Sequence, residues 1–227
     1  MDVANPLWNP WSNDARPLDL YRRRCRREAE EMTCAAQAAE IVAAHARPGE
    51  TLLDAGCAGG YYYWSFRDRH VPIDYYGLDY TPELIEMARA ELAPRADLPV
   101  DRFTVGAIEN LEREFDTVVC FNVLTNSPHY GLPLERLLAF ARRRIVLRES
   151  LGDALVVRYT PDPYLDEGKR HIRVYHNTYP IDDVTGFMTE HGFAVTPVVD
   201  RRTNDGVEMV VDIPHWWRIL VGERVSA

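Results

Sequence analysis

Four features are scarce in this chain of 227 residues: paired cysteines, long apolar runs, a leader-like start and an excess of positive charge. The four cysteines form no Cys-x-x-Cys pair, so reduced thiols in a cytoplasmic protein are the simplest expectation. No apolar run is long enough to cross a bilayer, and the start has no apolar stretch of the signal-peptide type. We therefore expect neither a membrane partner nor a signal peptide.

The charge balance argues against a nucleic-acid partner. The net charge is −9 at pH 7, whereas a phosphate backbone is bound by a basic surface. The one basic run, residues 22–27, is followed at once by Glu28, Glu30 and Glu31, which is typical of a charged helix face. A small-molecule partner fits this balance better than DNA or RNA does, and the sequence leaves a homodimer open.

The composition is that of a folded domain. Apolar residues make up 46% and charged residues 27% of the chain. At this length we expect one α/β domain whose core is large enough to be stable without disulfide bonds or a structural metal. Residues 17–46 look like one or two helices that end before Pro48 and Gly49. We therefore predict an N-terminal helical cap over 1–46 and a main domain over 47–227.

Predicted strands and helices alternate through the main domain. The strands fall at 51–55, 75–79, 102–105, 116–121, 145–147, 193–199 and 216–221, and the helices at 62–70, 82–93, 134–142 and 184–191. This alternation indicates an α/β fold, with a parallel sheet covered by helices on both faces. The last two strands are expected to form a closing, hairpin-like pair.

The most informative stretch is 51–60, where an apolar strand ends in Asp54 and runs into a glycine-rich turn. Gly56 and Gly60 let the backbone turn sharply and let a ligand approach without meeting a Cβ atom. A strand, a glycine turn and a helix in this order are typical of a nucleotide-cofactor site. The next strand ends in Asp79, whose carboxylate can accept hydrogen bonds from both hydroxyls of a ribose.

A dinucleotide-binding site is the main alternative. Its Gly-x-Gly-x-x-Gly fingerprint, counted from Gly56, requires glycine at positions where this chain has Ala58 and Tyr61. Neither position carries the glycine that the fingerprint requires. The sequence therefore disfavours a pyrophosphate ligand, which needs the backbone at close approach.

The two elements together resemble the cofactor half of the class I S-adenosylmethionine-dependent methyltransferases. The family's acid–x–Gly–x–Gly–x–Gly pattern appears here over residues 54–60 as Asp-Ala-Gly-Cys-Ala-Gly-Gly, with Ala58 in the place of the middle glycine. The second strand and its helix, residues 77–85, match the family well. The resemblance implies a Rossmann-like class I methyltransferase fold, a seven-stranded, mostly parallel sheet, and S-adenosylmethionine as the cofactor.

The resemblance also implies which residues contact the cofactor. The family binds adenine after the third strand through an acid and backbone groups, and here the acid's place is taken by an alanine, so the backbone is expected to serve. A tyrosine just past the second strand either stacks on adenine or packs on the surface. The loop after the fourth strand faces the transferred methyl group. The implied set is Asp54, Gly56, Cys57, Ala58, Gly60, Asp79, Tyr80, Ala107, Ile108 and Asn122.

Methyl transfer from a sulfonium centre requires mainly that the nucleophile be aligned and its proton removed. A histidine is the usual base for a hydroxyl, and the candidates are His129, His171 and His176. The alternative for each histidine is a purely structural role, in which it packs within its loop or caps it, and the sequence does not decide between the two. The three have no metal-ligand spacing as a set, so no metal site is predicted.

Two segments are candidates for covering the substrate. An aromatic insertion near 158–180 follows the fifth strand, where the family usually has a substrate lid; an ordinary loop on the sheet edge is the alternative. The N-terminal segment either closes over the site or buries a loose start. The aromatic residues involved are Trp8, Trp11 and Tyr21 in the N-terminal segment and Tyr159, Tyr164, Tyr175, His176 and Tyr179 in the insertion.

Two functions from different classes follow. The first is S-adenosylmethionine-dependent methyl transfer to a hydroxyl or amine of a small molecule. The alternative is a catalytically silent module of the same fold that binds the cofactor and serves regulation or interaction. Because Asp54, the glycines of the turn and Asp79 are all present, the resemblance favours the enzyme.

Overall fold

The structure, a computed structural model, describes residues 11, 15–162, 165, 168 and 171–225. Trp8 and Tyr164 lie outside the described residues. The strands are β1 (Glu50–Ala55), β2 (Ile73–Asp79), β3 (Phe103–Val105), β4 (Phe115–Phe121), β5 (Ala141–Gly152), β6 (Tyr159–Pro161), β7 (Arg173–Tyr175), β8 (Tyr179–Pro180), β9 (Phe193–Val198), β10 (Val207–Val210) and β11 (Ile213–Arg224). The helices are α1 (Ala15–Cys25), α2 (Thr33–Ala43), α3 (Tyr63–Asp68), α4 (Pro82–Met87), α5 (Ala93–Ala96), α6 (Gly131–Phe140) and α7 (Ile181–Glu190).

One large sheet organises the chain. Its central strands follow the order β3-β2-β1-β4-β5 and run parallel, and β11 then pairs antiparallel with β5 and with β9. Two short strands extend these seven: β10 pairs with the first residues of β11, and β8 pairs with the end of β5. The expected seven-stranded, mostly parallel sheet is confirmed. Its central strands are buried because helices cover both faces.

Two apolar clusters lie on opposite sides of the sheet. One packs α1 to α5 against it through residues such as Ala38, Trp64 and Ile85. The other packs α6 and α7 through residues such as Leu137 and Met188. The prediction of helices on both faces is therefore confirmed, while the division into a cap and a main domain stays a prediction.

The largest difference from the predicted elements is in β5, which spans twelve residues where only 145–147 were expected. Arginines interrupt the apolar pattern, and the structure shows why the strand tolerates them. Arg144 is paired with Glu223 on the neighbouring strand at 2.5 Å, and Arg148 is paired with Asp200 at 2.6 Å. A buried charge is tolerated in a strand when it is paired and hydrogen-bonded. Helix α6 consequently ends at 140, two residues earlier than predicted.

The expected closing pair of strands is present, but a further hairpin is inserted into it. β9 and β11 pair antiparallel, as predicted, while β10 forms a tight hairpin with the first half of β11. Val211 and Asp212 form its turn with φ values of 51° and 60°. A branched residue such as valine rarely adopts this left-handed conformation, so a hairpin turn could not be predicted there from the residue types.

Candidate functional site

The glycine-rich turn joins β1 to α3 at the carboxyl edge of the sheet. The backbone N–H groups of Gly56 and Cys57 both donate to the carbonyl of Leu78, at 2.7 and 3.0 Å. Gly56 has φ +78°, and a Cβ atom there would lie 2.2 Å from Cγ2 of Val123. Glycine is therefore required by the packing of the turn against the loop after β4.

Asp79 ties this turn to the next one. Its Oδ2 accepts the backbone N–H of Ala58 at 2.9 Å, and its Oδ1 accepts that of Thr81 at 2.8 Å. Ala58, which replaces the family's middle glycine, has φ +49°, so the backbone keeps a conformation that favours glycine. A carboxylate has about four lone-pair sites. The Thr81 side chain also hydrogen-bonds to Asp79, so the carboxylate keeps acceptor capacity for a ligand but is already largely engaged by the two turns.

Asp54 is the second buried acid of the turn. The Tyr75 hydroxyl donates to its Oδ2 at 2.6 Å. The pKa of Asp54 is raised to about 7, mainly by burial, with the Tyr75 hydrogen bond lowering it and the charge of Asp79 raising it. Burial also raises the pKa of Asp79. Neither acid has a basic partner among the ion pairs of the described residues, so the pair suits a ligand that brings positive charge and hydroxyl donors.

One cavity of about 660 Å³ runs along this edge of the sheet. Its glycine-turn end is lined by nine of the ten residues predicted to contact a cofactor: Asp54, Gly56, Cys57, Ala58, Asp79, Tyr80, Ala107, Ile108 and Asn122. Gly60 is the tenth and does not line it. A Cβ atom on Gly60 would lie 2.6 Å from the Phe103 ring, so this glycine packs the turn against β3.

Asn122 lines the cavity between the glycine-turn end and a second end, which contains Arg148 and is called the arginine end below. Its φ is +60°, and its backbone N–H donates to the carbonyl of Arg148 at 2.7 Å. Its Oδ1 accepts a hydrogen bond from a terminal guanidinium nitrogen of Arg148 at 2.5 Å. The residue that follows β4 is thereby fixed to β5 through both its backbone and its side chain.

Glu149 holds the loop that begins at Asn122, a role that the sequence did not indicate. Its carboxylate accepts the three backbone N–H groups of residues 123–125 at 2.8 to 3.0 Å. Burial raises its pKa. Such a carboxylate replaces the water that would otherwise solvate the loop backbone, so the loop can lie against the cavity in one conformation.

The arginine end of the cavity is lined by Arg148, His176, His215 and Trp217. The Arg148 guanidinium lies 4.7 Å above the Trp217 ring, and the His215 ring stacks on Trp217 with centroids 4.8 Å apart. The His176 ring centroid lies 5.5 Å from that of His215. These residues come from β5, the 171–178 segment and β11, and sequence reasoning singled out only His176 among them.

The three candidate bases occupy different places. His129 is exposed and lines the cavity beyond β4, His176 is buried and lines the arginine end, and His171 is exposed and does not line the cavity. Burial lowers the pKa of His176. Their catalytic roles stay predictions. No group of three residues suited to hold a metal ion occurs in the described part of the chain.

The insertion near 158–180 contains a small antiparallel ribbon of β6 and β7. Tyr159 and Tyr175 stack on each other at 4.3 Å, away from the cavity, and the Tyr179 hydroxyl binds the carbonyls of Leu124 and Ser127. Of the aromatic wall expected here, only His176 lines the cavity among the residues described. Trp11 and Tyr21 line it from the N-terminal side.

Residues 53–145, from β1 to the start of β5, match the sequence profile of a family described as "Methyltransferase domain". A search of curated protein sequences finds no match. No helix among the residues described is long and apolar enough to cross a membrane.

Solved structures with the same fold cover nearly the whole chain. Magnesium protoporphyrin IX methyltransferase from Synechocystis PCC 6803, with bound S-adenosylhomocysteine, has 18% identity and a TM-score of 0.62 over 95% of this chain and 97% of its own. Burkholderia thailandensis 1,6-didemethyltoxoflavin-N1-methyltransferase, with its substrate and S-adenosylhomocysteine bound, has 18% identity and a TM-score of 0.59 over 86% of this chain and 80% of its own. A putative methyltransferase from Haloferax volcanii, in complex with the Trm112 activator, has 16% identity and a TM-score of 0.61 over 92% of this chain and 96% of its own.

Proposed function

We propose that this chain is a class I S-adenosylmethionine-dependent methyltransferase and that it transfers a methyl group to a hydroxyl or amine of a small molecule. The observation that carries the proposal is the single cavity, which joins the glycine-turn end to the arginine end across Asn122. A methyltransferase must hold a cofactor and an acceptor side by side, and a continuous cavity of this size accommodates both.

The residues of the glycine-turn end fit S-adenosylmethionine. Asp79 lines this end and is the predicted acceptor for the ribose hydroxyls, and Ile108 and Tyr80 offer apolar surface for the adenine ring. Asp54 and Asp79 together favour a ligand with positive charge, which the sulfonium and amino groups of this cofactor carry. Gly56 and Ala58 keep side-chain bulk away from the turn.

When bound, S-adenosylmethionine supplies a methyl group already activated on sulfur. The chain's own contribution is to position the acceptor and to accept its proton. Asn122, fixed by Arg148 on β5, forms the boundary between the two ligands. His129 and His176 are the predicted bases that line the cavity, and His176 is kept uncharged by its burial, as a proton acceptor must be.

The solved structures of similar fold act on, or are bound to, different partners. Two of them are named for the methylation of planar ring systems, a porphyrin and a toxoflavin precursor. The third is complexed with an activator protein. At 18% identity and below, these likenesses support the fold, and the acceptor of this chain is inferred from its own cavity.

The proposal is tested in two steps. Native mass spectrometry and calorimetry of the purified protein should detect S-adenosylmethionine or S-adenosylhomocysteine at one site per chain. Turnover is then measured as S-adenosylhomocysteine release on a panel of planar hydroxyl and amine compounds. Cofactor binding without turnover on any acceptor would favour the catalytically silent module, and absence of cofactor binding would refute both functions.

The base is tested once an acceptor is found. His129→Ala or His176→Ala should lower kcat by about 10²–10⁴ while S-adenosylhomocysteine affinity stays near the wild-type value. His171→Ala is the matched control, because His171 does not line the cavity. Full activity in all three variants would show that catalysis needs only alignment of the acceptor.

A further inference from the structure

Buried nitrogens without partners are concentrated at the arginine end of the cavity. Eight buried side-chain nitrogens of described residues have no hydrogen-bond partner, and four of them belong to Arg148, His176 and His215, which line this end of the cavity. We call these three residues the nitrogen cluster. Arg148 is 2% exposed, His215 1% and His176 5%, so water does not solvate them from outside. Because buried polar groups are nearly always paired, such a concentration calls for an explanation.

The members of the nitrogen cluster lie next to one another. The His215 ring bridges Trp217, under the Arg148 guanidinium, and His176 at 5.5 Å. Arg158 accepts the backbone N–H of His176 through its carbonyl at 2.9 Å, and its positive charge acts on both histidines. Both ring nitrogens of His215 lack a partner, as do one nitrogen of His176 and one terminal nitrogen of Arg148.

Two acids around the nitrogen cluster already accept hydrogen bonds from protein groups. Asp200 accepts from the Nε of Arg148 and from Thr203, and Glu208 accepts from Arg202 and from the Trp217 indole N–H. Asp162 lines the cavity beside His176 and contributes negative charge there. Arg158, which does not line the cavity, adds positive charge nearby, and the unpartnered Arg148 nitrogen can only donate a hydrogen bond.

We propose that the acceptor substrate is a planar aromatic compound that carries a carboxylate, and that the nitrogen cluster binds this carboxylate. A guanidinium cannot lose its proton and needs an acceptor, and a neutral histidine can donate one hydrogen bond. A carboxylate offers two oxygens and about four lone-pair sites, which matches several separate donors better than one neutral oxygen does. Trp217, Phe121 and Val174 line the same region and suit the ring. The inference rests on the proposed methyl transfer and names its substrate class.

The test uses the full-length protein saturated with S-adenosylhomocysteine, so that no turnover occurs. Calorimetry compares naphthalene-2-carboxylate, quinoline-2-carboxylate and indole-3-carboxylate with the three corresponding primary amides. At least one carboxylate should bind, and its amide should bind at least about tenfold more weakly, because the amide lacks the charge-assisted hydrogen bonds. His215→Phe, which keeps a ring beside Trp217, and His176→Phe should each weaken binding of that carboxylate by about tenfold or more, because each removes unpartnered nitrogens that line the cavity.

His45→Phe is the matched control, because His45 is exposed and does not line the cavity. It should leave carboxylate binding unchanged, and all three variants should bind S-adenosylhomocysteine like the wild type. Equal affinity for amides and carboxylates, no carboxylate binding up to about 10 mM, or unchanged carboxylate binding in both variants would overturn the inference. Failure of S-adenosylhomocysteine itself to bind would instead refute the proposed function, and it is measured first.

Discussion

At the glycine-turn end of the cavity, polar groups from neighbouring segments satisfy one another, whereas at the arginine end buried nitrogens remain without partners. Asp79 receives two backbone N–H groups and Asp54 receives the Tyr75 hydroxyl. Four nitrogens of the nitrogen cluster have no hydrogen-bond partner among the described residues. The first end is therefore organised before any ligand arrives, and the second is completed by its ligand.

The strongest challenge to the glycine-turn end is Gly56→Val. A side chain there meets Val123 and forces a branched residue to φ +78°. Overpacking and backbone strain each cost about 1–3 kcal/mol, so we expect a loss of about 2–6 kcal/mol in the free energy of unfolding, together with loss of cofactor binding. Gly186→Val is the control, because nothing lies within 4 Å of an added Cβ there. Thermal unfolding of both variants decides, and an unchanged midpoint for Gly56→Val would show that the turn is not packed as described.

The ionisation of Asp54 makes the stability of the ligand-free protein depend on pH. Its folded pKa of about 7 is above the value of about 3.9 for an unfolded aspartate, so its contribution is fully present below about pH 4 and is lost as pH rises through 7. The loss amounts to at most about 4 kcal/mol. Asp54→Asn should therefore gain stability over the wild type from pH 5 to pH 8 in denaturant titrations. A stability difference that is the same at both pH values would place the Asp54 carboxyl outside this titration.

Asp54→Asn also tests whether the charge of Asp54 contributes to cofactor affinity. Wild-type affinity for S-adenosylmethionine should rise between pH 6 and pH 8, because ionised Asp54 attracts its positive charge. Asp54→Asn should flatten this dependence. Asp54→Asn is therefore expected to raise the stability of the ligand-free protein and to lower its affinity for the cofactor, a trade-off that is common at binding sites.

Sequence reasoning found the glycine-turn end because its chemistry is local. Asp54 and Gly56 are adjacent along the chain, and Asp79 follows at the end of the next strand, so one motif carries them all. The same reasoning missed Gly60's true role, because only the folded structure brings Phe103 against it. It also could not foresee that Ala58 keeps a left-handed backbone.

The arginine end could not be found in this way, since Arg148, His176 and His215 come from distant strands and loops. One signal was present: Arg148 and Glu149 are charged residues that directly follow the apolar run 145–147. A charged pair within a buried strand is costly unless the fold or a ligand compensates it. That signal indicates a polar site, but the partner strand β11 and its hairpin cannot be read from it.

Asp79→Asn tests the acid that links the two turns. An amide has one oxygen acceptor where the carboxylate has two, so one of the N–H groups of Ala58 and Thr81 loses its partner and a ribose hydroxyl loses its acceptor. We expect S-adenosylhomocysteine affinity to fall tenfold to hundredfold, about 1.4–2.7 kcal/mol. Asp74→Asn on the same strand is the control, because its side chain is 55% exposed. Calorimetry that finds equal affinities for the two variants would remove Asp79 from the site.

The smallest expected effect comes from the arginine end, and it has the opposite sign. His215→Phe removes two buried nitrogens that have no partner and keeps the ring against Trp217. Removing an unsatisfied buried group is neutral or stabilising, so the ligand-free variant should gain about 1 kcal/mol at pH 7.5, a rise of about 2–4 °C in Tm.

Burial and the neighbouring His176 lower the pKa of His215 to about 4, below the value of about 6.5 for an unfolded histidine. The wild type therefore loses stability from this group as pH falls from 6.5 to 4, and the advantage of the variant should grow over that range. His45→Phe, at an exposed position, should show neither effect. A destabilised His215→Phe variant with no pH dependence would mean that the His215 nitrogens are satisfied in the ligand-free protein, and the contrast between the two ends of the cavity would not hold.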